Sequence, residues 1–461
     1  MTDVRSAAEQ DAQALDVTLS VDEDQRLEAL RRRMHTPVGG LLVSMGFLIR
    51  ERSQPRAIIG SGDVTGVHIL NRQPPPRPGS FHLGGAGLYP FEARIRILAE
   101  TLERYAGHAA AAAGRPPVRL ATWQQLAAEG QACLTPDDLT LFSTDQFRRP
   151  GFPFAPFAPD AQIGWVRLPS LPGGPATHVP AQWFLLGYVP QAGEPWMGTA
   201  VTTGTAAHTD PGRALLSAVE ELVQLDATMG HWYGATESIR IRHDARTRVL
   251  QRMIERQLRF EGPQPEFHLL PSADLPGFTV ACLLRRPPGQ VPRIAVGQGS
   301  GGDLVQAMYR GLLEAVAVQW LAAWVAIEER TGATQAVSDH LARGLFDLEG
   351  NIALAAGDEG GEAVEQRFAR CSEVAAGDLP PDHCGDVRDA VRRVVAAFRD
   401  TGKRLYHANL TTPDVQSLGF TVIRVWSPDT LSLTLPGAPE ARHRRFGAYG
   451  GFVDAGPHPY P

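Results

Sequence analysis

Apolar residues recur at three- and four-residue steps in three long stretches of the chain. In the first, Ile95, Leu98, Leu102 and Tyr105 form one stripe, while Arg96, Glu100, Glu103 and Arg104 fall on the other face, the pattern of a helix with one buried side. In the second, Leu215, Val219, Leu222 and Val223 stand against Ser217, Glu221 and Gln224 at i, i+4 and i+7, and the helix runs on through Asp226 to Trp232 and Tyr233. The third sets Leu312, Leu313 and Val316 against Arg310 and Glu314. Its apolar run, 312–327, is broken at helical spacing by polar side chains that include Gln319, which predicts a core helix rather than a membrane span. Each helix follows a stretch of small residues, 84–87, 202–208 and 297–303, which reads as a loop leading into the helix.

Between these helices the pattern is shorter. Residues 40–49 and 66–70 read as strands, 72–79 as a proline-rich loop, and Arg115-Pro116-Pro117 as the stop after a helix ending near 109–113. Proline and glycine punctuate 150–180, so Phe152, Phe154 and Phe157 read as an anchored aromatic loop that fills core. From Pro190 onward β-like and helical stretches alternate without a clean linker, which predicts a mixed α/β (α+β) fold. The expected organisation is a flexible segment over 1–25, one large domain over 26–461, a polar helical insertion around 330–400, and a tail over 457–461. That tail, Pro457-His458-Pro459-Tyr460-Pro461, alternates proline with another residue. Proline fixes φ and holds its neighbour extended, so the tail is a stiff spacer that can place a carboxylate at Pro461.

Composition narrows the function classes. With 43% hydrophobic and 20% charged residues over 461 positions, the chain can bury a sizeable core. A formal net charge of −6 argues against a general nucleic-acid or anionic-membrane binder. The N-terminus lacks a charged-then-apolar targeting pattern, and a cytoplasmic protein is expected. Four cysteines, Cys133, Cys282, Cys371 and Cys384, include no CxxC pair, so neither a disulfide framework nor a closed zinc site is indicated. Cys371, His383 and Cys384 lack a fourth ligand at metal-like spacing.

Glu100 and Glu103 lie one turn apart on one face, close enough to share a divalent cation, with Arg104 at i+4 from Glu100. The same residue types also make an ordinary solvated ion-paired face. Three small-residue stretches, each followed by a helix carrying an acid, favour the first reading. Residues 297–302 lack the lysine and hydroxyl of a phosphate loop, and 84–87 do not meet the dinucleotide fingerprint. A bound nucleotide would therefore be held through Mg²⁺-bridging carboxylates. His208, His231 and His443 each stand alone near a loop or helix end and read as structural.

The stretches GGAGLYPFEARIRILAETLERYAGH (84–108), FPFAPFAPDAQIGW (152–165), TTGTAAHTDPGRALLSAVEELVQLDATMGHW (202–232) and GQGSGGDLVQAMYRGLLEA (297–315), with the PHPYP end, resemble the YcaO superfamily of ATP-dependent enzymes that modify peptide backbones. The resemblance implies a YcaO-type ATP-binding fold of mixed sheets flanked by helices. It implies ATP and Mg²⁺ as cofactors, bound by Glu100, Glu103, Arg104, Ser217, Glu221, Gln224 and Glu314, with Glu100, Glu103 and Glu221 on the metal. The proline-alternating end marks the azoline-forming branch. It implies a cyclodehydratase that turns Cys, Ser or Thr of a ribosomal precursor peptide into thiazoline or oxazoline, with the Pro461 carboxylate as catalytic base.

Arg96, Gln224 with Leu225, and Ala86 depart from residues common at those positions in the family, and Arg213 stands with Arg96 and Gln224 as a further sign of change in the site. No leader-recognition unit is evident, so the expected partners are the precursor peptide and a separate leader-recognition protein, E1-like or related; a homodimer is the other association open. Thioamide or macroamidine formation, or a non-catalytic peptide-binding subunit, are the alternative functions.

Overall fold

The computed structural model describes residues 21–36, 39–48, 55–64, 66–70, 82–258, 262–331, 348–383 and 385–460. In chain order the main elements are α1 (Val21–Met34), β1 (Leu42–Phe47), β2 (Ile58–Val64), β3 (His82–Gly87), α2 (Pro90–Ala112), β4 (Val118–Thr122), β5 (Gln162–Leu168), β6 (Thr177–Pro180), β7 (Thr205–His208) and α3 (Pro211–Tyr233). They continue with β8 (Ser238–Arg242), β9 (Glu266–Leu269), β10 (Phe278–Arg285), β11 (Ile294–Gly301), α4 (Leu304–Thr331), α5 (Leu348–Ala356), α6 (Asp358–Ala369), β12 (Cys371–Ala375), α7 (Val387–Asp400), β13 (Tyr406–Asn409) and β14 (Thr421–Trp426). Four sheets result, ordered β1-β2-β3, β4-β5-β6, β13-β14-β7 and β11-β10-β9-β8-β12. Among the described residues the strands pair antiparallel except β8 with β12. The mixed α+β expectation holds.

The small-residue stretches read as loops are largely strands. Residues 84–87 belong to β3, 205–208 form β7, and 297–301 belong to β11. Glycine has low strand propensity because it has no side chain to pack; here that lack is what the site requires. A Cβ on Gly299 would lie 2.2 Å from the Ala307 carbonyl oxygen, and one on Gly297 would lie 2.0 Å from the Ala315 nitrogen. On the first unit, a Cβ on Gly85 would meet the Ala93 carbonyl oxygen at 2.4 Å. Helix backbone thus rests directly on strand backbone, closer than any side chain allows. Residues 67–70, read as strand, form a short helix, and residues 21–25, expected within a flexible segment, lie in α1.

Within the region around 330–400 the described residues form α5, α6 and α7, and between α6 and α7 runs β12, paired along its length with β8. Among the described residues α4 is the one helix long and apolar enough to cross a bilayer. Its Leu304, Ala307, Met308, Leu312 and Ala315 are fully buried in the cluster that also holds Val280 and Cys282 of β10 and Ala295 of β11. The aromatic loop packs as expected: Phe154 stacks on Phe142 at 5.2 Å between ring centroids, with Phe152 edge-on to both.

Asp226, on the buried face of α3, has no exposure. A carboxylate removed from water needs full compensation, and Asp226 has it: Arg445 donates through Nε and Nη2 at 3.0 and 2.6 Å, the Tyr449 hydroxyl at 2.7 Å and the Leu431 N–H at 2.9 Å. Arg445 also reaches Asp274 at 2.8 Å. This network ties α3 to the C-terminal segment.

Gly299→Ala must push α4 off β11 and is expected to lower stability by about 3 kcal/mol, whereas Gly46→Ala, whose Cβ meets nothing within 4 Å, should change it by less than about 0.5 kcal/mol; chemical denaturation measures both. Asp226→Asn leaves Arg445 without its main counter-charge and should lower stability by about 3–5 kcal/mol in the same assay.

Candidate functional site

Each of the three strand–helix units carries one acid back to its own strand. Glu100 on α2 accepts the Gly84 N–H of β3 at 3.1 Å. Glu221 on α3 accepts the Gly204 N–H, at the start of β7, at 3.2 Å. Glu314 on α4 accepts a backbone hydrogen bond from Gln298 of β11. The separations are 16 and 17 residues for the first two, and 314 − 298 = 16 for the third. In α2 and α4 the acid stands seven residues, about two helical turns, beyond the close contact at Ala93 or Ala307, and all three acids return to a backbone amide of their own unit.

The acids face one another. Burial raises the Glu103 carboxyl well above the ordinary range, and the neighbouring Glu221 and Glu100 charges add to this while Arg104 opposes it. Burial pushes Glu221 up to about 7 against the pull of Arg104, Arg424 and the Gly204 N–H. Glu314 rises to about 8, mainly by burial, with Glu221 and Glu100 adding repulsion. Arg104 donates to Glu100 Oε1 at 3.3 Å. Four carboxyls against two guanidiniums, Arg104 and Arg424, leave an excess of hard oxygen donors, the chemistry a divalent cation matches. Among the described residues no three His, Cys, Asp or Glu side chains converge into a ready-made ion site. The set is open, as suits Mg²⁺, which keeps water and takes one or two carboxylates together with phosphate oxygens. The residues present fit Mg²⁺ with a nucleotide.

The other expected residues divide. Ser217 is exposed and Gln224 half-buried, on α3 on either side of Glu221. Neither hydrogen-bonds the acids. Arg96 does not enter the cluster: it pairs with Glu92 at 2.9 Å, and Glu92 also accepts from the Leu88 N–H and the Tyr309 hydroxyl. The Arg96 departure is thus absorbed in an ion pair at the start of α2. Arg213 is exposed, its N–H capped by Asp210. Cys384 lies outside the described residues. The three histidines are structural: His208 accepts the Asp210 N–H, His443 accepts the Arg445 N–H, and His231 packs on the Phe368 ring.

Arg424 on β14 was not anticipated. It is 1% exposed, lies over the Phe184 ring at 5.3 Å, and donates to Thr205 Oγ1 at 2.8 Å and the Val201 carbonyl at 2.7 Å. Burial lowers its pKa to about 10 although Glu221 and Glu103 favour the charge. A lone arginine inside the apolar strand Thr421–Trp426 was the available signal.

The tail does not fray. His458 and Tyr460 are fully buried. His458 Nε2 lies 2.8 Å from the Thr434 carbonyl oxygen, and Tyr460 sits edge-on to Trp232 at 6.1 Å between centroids. Burial raises the Tyr460 phenol, with the Arg367 charge opposing. Pro461, the expected base, lies outside the described residues.

A family model described as YcaO cyclodehydratase, ATP- and Mg²⁺-binding, matches residues 84–431. No curated protein matches the chain in sequence. Among solved structures the chain is similar to a heterocyclase in complex with substrate and cofactor, with TM-score 0.63 and 18% identity over 88% of this chain and 52% of that one; it spans about half that protein's length. It is similar to YcaO from Methanopyrus kandleri bound with AMPPCP and Mg²⁺, with TM-score 0.59 and 18% identity over 88% and 90% of the two chains. It is also similar to a chain of the E. coli microcin synthetase McbBCD complex, with TM-score 0.54 and 11% identity over 93% and 99%. The fold is shared with all three, ATP and Mg²⁺ are the cofactors, and from the match over most of its length the chain belongs to the YcaO family.

Proposed function

We propose that this protein is an ATP- and Mg²⁺-dependent cyclodehydratase that converts Cys, Ser or Thr of a ribosomally made precursor peptide to thiazoline or oxazoline. The observation that carries the reading is the meeting of Glu100, Glu103, Glu221 and Glu314 from three helices, in a chain whose tail is buried through Tyr460. Mg²⁺-ATP supplies, when bound, an electrophilic phosphoryl group for the backbone amide oxygen. Glu100, Glu103 and Glu221 would hold the ion, with Glu314 next to them and Arg104 orienting Glu100. The Cys, Ser or Thr side chain attacks the preceding peptide carbonyl and gives its proton to a base, and the former carbonyl oxygen leaves as phosphate while the amide nitrogen gives up its proton and the C=N bond forms. The Pro461 carboxylate is the proposed base, set in place by the buried His458 and Tyr460. A terminal carboxylate has a low pKa in water, so it serves as a base through partial desolvation in the site.

The departures at Arg96 and Arg213 fall outside the acid cluster, which favours an active enzyme over a non-catalytic subunit. Thioamide and macroamidine formation would use the same nucleotide site with a different nucleophile; the proline-alternating tail favours azolines. Leader recognition is assigned to a separate partner, E1-like or related, and the setting to the cytoplasm.

Calorimetric titration with AMPPCP and Mg²⁺ tests the nucleotide site: the wild type binds and Glu103→Gln does not. No binding by the folded wild type would overturn the assignment. With a precursor peptide in hand, a short C-terminal extension beyond Pro461 should lower turnover by about 100-fold or more while leaving nucleotide affinity within about twofold; unchanged turnover would remove Pro461 as the base.

The acids also predict a pH-dependent trade of stability for binding. Glu314 rises from 4.5 to about 8 on folding, so between those pH values the native state holds more protons than the unfolded chain, and stability falls as pH rises. Glu314→Gln abolishes that loss. Its unfolding free energy from chemical denaturation should match the wild type near pH 4 and exceed it at pH 8 by roughly 1–3 kcal/mol after allowance for partial exposure.

A further inference from the structure

Arg424 also lines a cleft that is open to solvent. Trp183, Trp426 and Phe154 form part of its wall, and residues 430–435 form one border. This border segment belongs to no sheet. Its back is fixed at two points: the Leu431 N–H donates to the buried Asp226 at 2.9 Å, and the Thr434 carbonyl oxygen lies 2.8 Å from His458 Nε2 of the tail. Between and beyond these points, among the described residues, the N–H groups of Ser432, Leu433, Thr434 and Leu435 enter no backbone hydrogen bond. Backbone donors left unpaired along a held, non-helical segment are the edge to which another chain adds.

Two buried side-chain groups on the same wall also lack partners. Thr430 is 3% exposed and its Oγ1 is unpaired, and Arg424, 1% exposed, has an unpaired Nε. Unsatisfied donors at such depth call for an external acceptor, and a peptide carbonyl is one. The wall does not suit a polyphosphate: it carries Asp138 and Glu440, no lysine, and a single arginine that already faces Glu103 and Glu221.

We propose that this cleft seats the substrate peptide, which adds in extended form along 430–435 with the carbonyl to be activated held by Arg424, between the aromatic wall and the acid cluster. The inference rests on the function proposed above and supplies the peptide side of that site. It also gives the tail a second duty, because His458 anchors the edge on which the peptide lies.

The test uses the full chain and a fluorescein-labelled peptide of Gly, Ser and Cys, blocked at both ends and followed by anisotropy with AMPPCP and Mg²⁺ present. Nucleotide binding is measured separately on every variant, so failure of the nucleotide site is not confused with failure of the cleft. Ser432→Trp, which fills the cleft, should weaken the peptide at least tenfold and leave nucleotide affinity within twofold; Thr430→Val should weaken it several-fold. N-methylation of alternate peptide amides, which leaves the protein untouched, should weaken the wild-type complex about tenfold or more through lost backbone hydrogen bonds. The proposal is overturned if the wild type binds no peptide, if neither variant nor N-methylation affects binding, or if Ser432→Trp abolishes nucleotide binding and spares the peptide.

Discussion

The structure depends on backbone meeting backbone. At Gly85, Gly297 and Gly299 a single added carbon would collide with the following helix, and that closeness fixes how far each helix stands from its strand and at what rotation. Glu100 and Glu314 reach amides of their own units because of it, while Gly204 of the remaining unit lies against Val425 of β14 instead. Hydrophobic burial of Leu98, Leu222 and Leu312 supplies the driving force but would tolerate many offsets. The glycines select one.

Local periodicity made the helices legible. The helical repeat of Ile95, Leu98 and Leu102, or of Leu215, Val219 and Leu222, is written in adjacent residues, and so is the one-turn spacing of Glu100 and Glu103. The glycine stretches were misread for a physical reason: a strand without side chains looks like a loop until the helix lying on it is known. Arg424 and Glu92 were hidden for a related one. Each derives its meaning from partners more than 200 residues away, Thr205 for the first and Tyr309 for the second. The tail was legible as stiff, because proline acts on its own neighbours, while the pockets that receive His458 and Tyr460 come from α3, α5 and the segment near Thr434.

The electrostatics separate two kinds of buried acid on one helix. Asp226 is fully answered by Arg445, Tyr449 and Leu431 and serves as a fixed joint. Glu221, five residues earlier on α3, is incompletely answered and keeps a raised pKa. A helix held rigidly at one buried position can present an under-compensated charge five residues away without collapsing around it.

The 16- and 17-residue intervals between strand amide and helix acid have a consequence for how such a chain can vary over time. Substitutions within a unit change one contact, but a single residue gained or lost between Gly84 and Glu100, or between Gln298 and Glu314, turns the acid by roughly 100° around the helix and away from its strand. Related sequences should therefore accumulate length differences between the units and keep a fixed count within them, so that gaps in an alignment outline the three units before any residue identity does.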